Sequence, residues 1–104
     1  LKGKAHRPRH ITPKLIIEKT AQHFDISIKD ILSPKRDKSI VLPRQVAMYL
    51  LRSDLHLSFP KIANELGRKD HTTAIHSVEK IEGLLTYDYI TRQHIQEVRE
   101  VLHG

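Results

Sequence analysis

Ser58-Phe59-Pro60-Lys61-Ile62-Ala63-Asn64-Glu65-Leu66-Gly67-Arg68-Lys69-Asp70-His71-Thr72-Thr73 is the stretch that decides the fold. Its first half reads as a short helix, with Ser58 as N-cap, Pro60 in the first turn and Gly67 as the stop. After Gly67-Arg68-Lys69 a second helix opens at Asp70. Its apolar positions Ala74, Ile75, Val78, Ile81 or Glu82, and Leu85 recur at intervals of three and four, so one face packs inward while Glu79 and Lys80 point outward. Two helices joined by a three-residue turn form a helix-turn-helix, whose second helix offers its N-terminal side chains to base edges in the major groove. Asp70, His71, Thr72 and Thr73 precede the apolar stripe, at that free end.

The flanking sequence supplies the scaffold. Thr12 and Pro13 read as N-cap and first residue of a helix of about three turns that breaks at Asp25. Ser27-Ile28-Lys29-Asp30 is a variant of the capping box, and Ser33-Pro34 stops the short helix it opens. Lys35-Arg36-Asp37-Lys38-Ser39 is a charged loop. A third helix is expected to begin between Ile40 and Pro43 and to run to about Ser53; Val46-Ala47-Met48-Tyr49-Leu50-Leu51 makes it apolar most of the way round, as a central core helix is. A last helix from Asp88 to Leu102 carries Ile95, Val98 and Leu102 on one face. No alternating strand pattern occurs, so residues 11–104 are expected to form one all-α domain of about six helices containing the helix-turn-helix.

Charge narrows the partners. The chain of 104 residues has 18 Lys and Arg against 12 Asp and Glu, a formal net charge of +6. A chain of this length is one domain by size. Residues 1–45 hold eleven of the basic and four of the acidic side chains, so the positive excess lies in the N-terminal half, where a polyanion would be met. Anionic lipid headgroups satisfy the same sign rule. The longest apolar run is far too short to cross a bilayer, and no secretory signal is seen. Cysteine is absent, which excludes disulfides and thiolate sites and fits a reducing cytosol. The first ten residues, basic and poor in helix formers, read as a linker from a preceding domain that this chain lacks.

Catalytic and metal chemistry find little support. Eight histidines are present, but His71 and His76 are five apart and fall on different helix faces. No glycine-rich phosphate loop, Gly-x-Ser-x-Gly elbow or cysteine nucleophile occurs, so neither catalysis nor a cofactor is expected of this chain.

Gly67-Arg68-Lys69-Asp70-His71-Thr72-Thr73-Ala74-Ile75-His76, with Pro43-Arg44-Gln45-Val46-Ala47-Met48 upstream, resembles the C-terminal DNA-binding domains of the bacterial chromosomal replication initiators, the DnaA family. The resemblance covers roughly residues 10–102, with the two motifs in register. It implies a recognition helix that reads asymmetric, A·T-rich nine-base-pair boxes on double-stranded DNA, in the cytoplasm at the bacterial nucleoid. It places Asp70, His71, Thr72 and Thr73 at base edges, where a carboxylate accepts from cytosine or adenine amino groups and a threonine methyl meets the thymine methyl. It places Arg36 in the narrowed minor groove of A·T-rich sequence. Lys35, Lys38, Arg44, Gln45, Arg52 and Lys61 would hold phosphates, together with Lys69 and the amides at Phe59 and Pro60; Phe59 also reads as a hydrophobic plug. Residues 1–10 would lead in from the family's ATPase domain, where ATP hydrolysis and strand opening reside. Replication regulators and acidic phospholipids are further partners to consider, and the lack of a leftover self-complementary stripe suggests a monomer on DNA.

The turn departs from the family, which commonly has Gly-Gly-Arg-Asp where this chain has Gly67-Arg68-Lys69-Asp70. If the second glycine needs a positive φ, Arg68 must adopt it at a cost. Lys69 keeps the arginine's charge but loses its bidentate fork. Two other functions fit the basic helical scaffold: a protein-interaction or anionic membrane-surface module, and the DNA-binding domain of a transposase or transcriptional regulator.

Overall fold

The computed structural model describes residues 10–104. The expected linker therefore lies, apart from His10, outside the described residues. Six helices follow one another: α1 (Pro13–His23), α2 (Ile28–Leu32), α3 (Lys38–Leu55), α4 (Phe59–Glu65), α5 (Thr72–Leu85) and α6 (Tyr89–His103), with no strand among the described residues. Four begin where a side-chain oxygen takes up an orphan amide. Thr12 accepts from Leu15, Ser27 from Asp30, Ser58 from Lys61 and Asp88 from Thr91, each cap contributing about 1 kcal/mol.

α3 occupies the middle. Ile40, Val46, Ala47, Met48, Leu50 and Leu51 are all buried, and the helix packs on α1, α2, α4 and α5, as its nearly continuous apolar surface requires. Ile62 and Leu66 from α4, Ala74, Val78 and Ile81 from α5, and Ile95, Val98 and Leu102 from α6 complete one core with Ile16 and Ile17 of α1. The long α6 lies against α1 and α5. Its bolt to α3 is polar: Arg99 grips the Asp54 carboxylate through Nε (3.2 Å) and a terminal nitrogen (2.8 Å).

The start of α3 differs from expectation. α3 begins at Lys38, ahead of the expected Ile40 to Pro43 window, with the Asp37 carbonyl accepting from Ile40 and Val41 at 2.9 Å. Pro43 therefore sits inside the helix. A proline forfeits the bond to the carbonyl four residues back, which here belongs to Ser39, an exposed residue of the first turn. Arg44 and Gln45 are consequently in the second turn, one turn beyond the free amides of the helix start.

Candidate nucleic-acid interface

The turn between α4 and α5 ends the first helix in a Schellman motif. Gly67 takes φ +72°, its amide donates to Asn64 O at 3.1 Å, and the Arg68 amide reaches back to Ala63 O at 2.8 Å. The positive φ thus falls on the glycine. Asp25 and His56 are the non-glycine residues with positive φ among those described, so the torsional cost anticipated for Arg68 does not arise.

Beyond the turn, Asp70, His71, Thr72 and Thr73 are all exposed. Asp70 does the capping: one carboxylate oxygen accepts both the Thr72 amide (3.0 Å) and the Thr72 hydroxyl. Regular α-helix begins at Thr72, two residues past the expected start, and His71 makes no side-chain cap bond. The hydroxyl and the amide of Thr72 hold the Asp70 carboxyl below the usual aspartate range, with His71 and His76 adding to the effect. Asp70 is therefore ionised at neutral pH, with its second oxygen directed to neither of these donors.

Across from this end lies the loop between α2 and α3. Arg36 is exposed there, and Lys35 pairs with Asp30 at 3.1 Å. Lys38, also exposed, stands at the first position of α3. An exposed pair such as Lys35 with Asp30 is worth about 0–1 kcal/mol, too little to withhold the lysine from a phosphate. Arg44 behaves differently. It is 6% exposed, and its guanidinium donates to Ile31 O (3.0 Å) and Ser33 O (2.7 Å), so it closes the C-terminal end of α2. Burial, and then the neighbouring Arg68, lower its affinity for its proton.

A cleft joins the two halves of the interface. Pro34 and Arg36 from the loop, Arg44 and Gln45 from α3, Arg68 from the turn, and Thr73 and Ser77 from α5 line it. Four residues singled out in the sequence, Arg36, Arg44, Gln45 and Thr73, line this cleft, from segments some thirty residues apart in the chain. Arg68 is the one that sequence reading left out of the site. Its signal was an arginine in place of a glycine beside a lysine, but its partner, Ser33 O at 2.8 Å, lies 35 residues away.

The remaining expected contacts form a second group that does not line the cleft. Arg52, in the last turn of α3, donates to Leu57 O at 2.9 Å and stacks over the Phe59 ring at 4.3 Å. Phe59 is half-buried against the core, as the plug reading has it, while Pro60 is exposed. Lys61 reaches Glu65 at 3.3 Å, an i,i+4 pair worth about 0.2–0.5 kcal/mol, and Lys69 is exposed in the turn. Arg52 thus holds the chain at the entry to α4, where the Phe59 and Pro60 backbone begins the helix. Among the described residues no group of three or more His, Asp or Glu side chains is placed to hold a metal ion, and no helix is long and apolar enough to cross a membrane.

Residues 13–81 match the family described as the bacterial dnaA protein helix-turn-helix. The chain is 44% identical over 93 residues to the chromosomal replication initiator protein DnaA of Thermomicrobium roseum, an alignment covering 89% of this chain and 20% of that protein. It is 43% identical over 100 residues to the DnaA of Thermoanaerobacter pseudethanolicus, covering 96% of this chain and 22% of that one. A crystal structure of a DNA replication initiation factor is similar with a TM-score of 0.75 at 30% identity, covering 86% of this chain and 29% of the other. The chain thus spans about a fifth of the length of the curated relatives it matches.

Proposed function

Because the chain belongs to the bacterial DnaA helix-turn-helix family, we propose that it binds double-stranded DNA in replication initiation, reading A·T-rich nine-base-pair origin boxes. The observation that carries this reading is the juxtaposition of an exposed, capped recognition end at Asp70 to Thr73 with the cation-lined cleft running from Arg36 to Arg68. An α-helix fits into the major groove with its N-terminal residues at base edges, and a loop arginine beside it is within reach of the adjacent minor groove.

In this reading His71, Thr73 and the free oxygen of Asp70 face base edges, and the Thr72 methyl meets thymine. Arg36 enters the narrowed minor groove. Lys35, Lys38, Lys61 and Lys69 supply mobile charge to phosphates, while Gln45 borders the groove from α3. Arg44 and Arg52 serve the backbone contact chiefly by fixing the segments that carry Arg36 and Phe59.

The test is a titration of the chain with a box duplex and a scrambled duplex at two salt concentrations. A preference for the box of about tenfold or more, with affinity falling as salt rises, supports the reading. Equal affinity for both duplexes refutes sequence-specific binding, and binding to anionic vesicles without preference for any duplex would favour a membrane-surface role.

A further inference from the structure

Arg44 and Arg68 converge on a single acceptor. One comes from α3 and the other from the helix-turn-helix turn, and both donate to Ser33 O, at 2.7 and 2.8 Å. One peptide oxygen cannot neutralise two guanidinium charges, and after burial itself the Arg68 charge further lowers the proton affinity of Arg44. Arg36 lines the same cleft. The four ion pairs among the described residues involve none of these three arginines, and residues 1–9 contain no Asp or Glu that could supply a partner. Asp30, whose main chain lies 3.5 Å from Arg44, has its carboxylate turned to Lys35. Arg68 Nε, moreover, is buried without an acceptor among the described residues.

Three arginines that share a cleft without a counter-ion are an arrangement that an anion relieves, and the fork of a guanidinium matches tetrahedral oxyanions. We infer that this cleft is a phosphate seat in which Arg68 is a phosphate-binding residue, the anion lying between Arg36 and Arg68 with Gln45 and Thr73 at its rim. The inference rests on the DNA-binding reading for the source of the anion, a backbone phosphate of duplex DNA between the two grooves being contacted. Position 68 then adds grip without adding sequence preference, because a phosphate carries no base identity.

Two measurements test it. In the first, side-chain Nε and backbone amide resonances of the free protein are followed during titration with inorganic phosphate. Arg68, Arg36 and Thr73 are expected to respond together, and a response confined to other residues overturns the proposal. In the second, binding to box and scrambled duplexes is measured as a function of salt for the native chain, Arg68→Gln and Arg68→Lys. Arg68→Gln, which keeps a donor for Ser33 O, is expected to lower the slope of log K against log salt by about 0.9 on both duplexes, and Arg68→Lys to preserve it. An unchanged slope in Arg68→Gln, or the same slope loss in both variants, overturns the seat, the latter by assigning Arg68 to bracing alone. A native chain without box preference that still shows the phosphate response and the slope change would sink the box-reading function and leave the seat standing.

Discussion

The Asp70 carboxylate closes the start of α5 on Thr72, accepting the Thr72 amide at 3.0 Å and the Thr72 hydroxyl on the same oxygen. The hydroxyl proton is thereby committed within the protein, and on the proposed DNA-binding reading the face of Thr72 left for a base is its methyl. Thr72→Ala is expected to cost about 1–3 kcal/mol on a box duplex, and Thr72→Val distinctly less because the methyl remains. Fluorescence anisotropy titrations decide this; equal losses would return the role to the hydroxyl. Asp70→Ala should in addition destabilise the fold through the lost cap, read as a lower urea midpoint.

His71 makes no side-chain cap bond and is exposed at the tip of α5, so its removal should leave the fold untouched. His71→Ala is expected to lose about 1–3 kcal/mol on the box duplex and little on a scrambled one. Parallel losses on both would contradict base reading.

Arg44 is set apart from the other cations by burial. Arg44→Ala removes the donors that satisfy Ile31 O and Ser33 O, and hydrogen bonds from a charged donor are worth about 1.5–3 kcal/mol. Thermal melting should therefore show a large fall, with weaker binding to both duplexes following from a misplaced Arg36 loop. Arg44→Lys should rescue only part of the melting temperature, since an ammonium cannot reproduce the spread of the guanidinium fork. A native melting temperature in Arg44→Ala would contradict the bracing role.

On the opposite side of the core, His23 Nε2 lies 2.8 Å from His94 Nδ1, with Glu97 at 3.8 Å. Burial first and His94 second lower the His23 pKa, and the weaker attraction of Glu97 does not reverse this. The folded chain thus binds this proton less readily than the unfolded chain, whose histidine titrates near 6.5. Its contribution to stability is fully present above that value and is lost as pH falls below it, toward the depressed folded pKa. Urea midpoints should fall between pH 7.5 and 5.5, and His23→Gln should flatten the dependence. A His23→Gln profile as steep as the native one would place the titration elsewhere.

Gly67 carries the positive φ of the turn, and a Cβ built there would meet Leu32 O at 3.7 Å, ordinary contact. The cost of Gly67→Ala is then torsional, about 1 kcal/mol, and Gly67→Asn should cost less because asparagine tolerates the left-handed region. Chemical denaturation of the two variants gives the comparison.

Helix starts were legible in the sequence wherever a short polar side chain bonds an amide three residues on, as at Thr12, Ser27 and Ser58, because both partners lie within one turn of chain. The start of α3 was not, since Pro43 most often marks a first turn and nothing local announces that Asp37 O would accept the first amides instead. The exposed set from Asp70 to Thr73 was legible from its place ahead of the apolar stripe. The bracing roles of Arg44 and Arg52 were not: each depends on a carbonyl or a ring delivered by another segment, Ser33 O to one and the Phe59 face to the other. Arg68 was visible as an oddity of composition, and its partner became visible when the chain folded.

Because the left-handed torsion of the turn is confined to Gly67, residue 68 needs no positive φ, its backbone being committed only through the amide bond to Ala63 O. The side chain there is in effect a dial. Arginine, lysine or glycine meets the same torsional requirement there, and what an exchange alters is the bond to Ser33 O and, for glycine, the charge in the cleft. On the proposed DNA-binding reading, residence time on a site is adjustable at this one position, with the exposed set from Asp70 to Thr73 left as it stands.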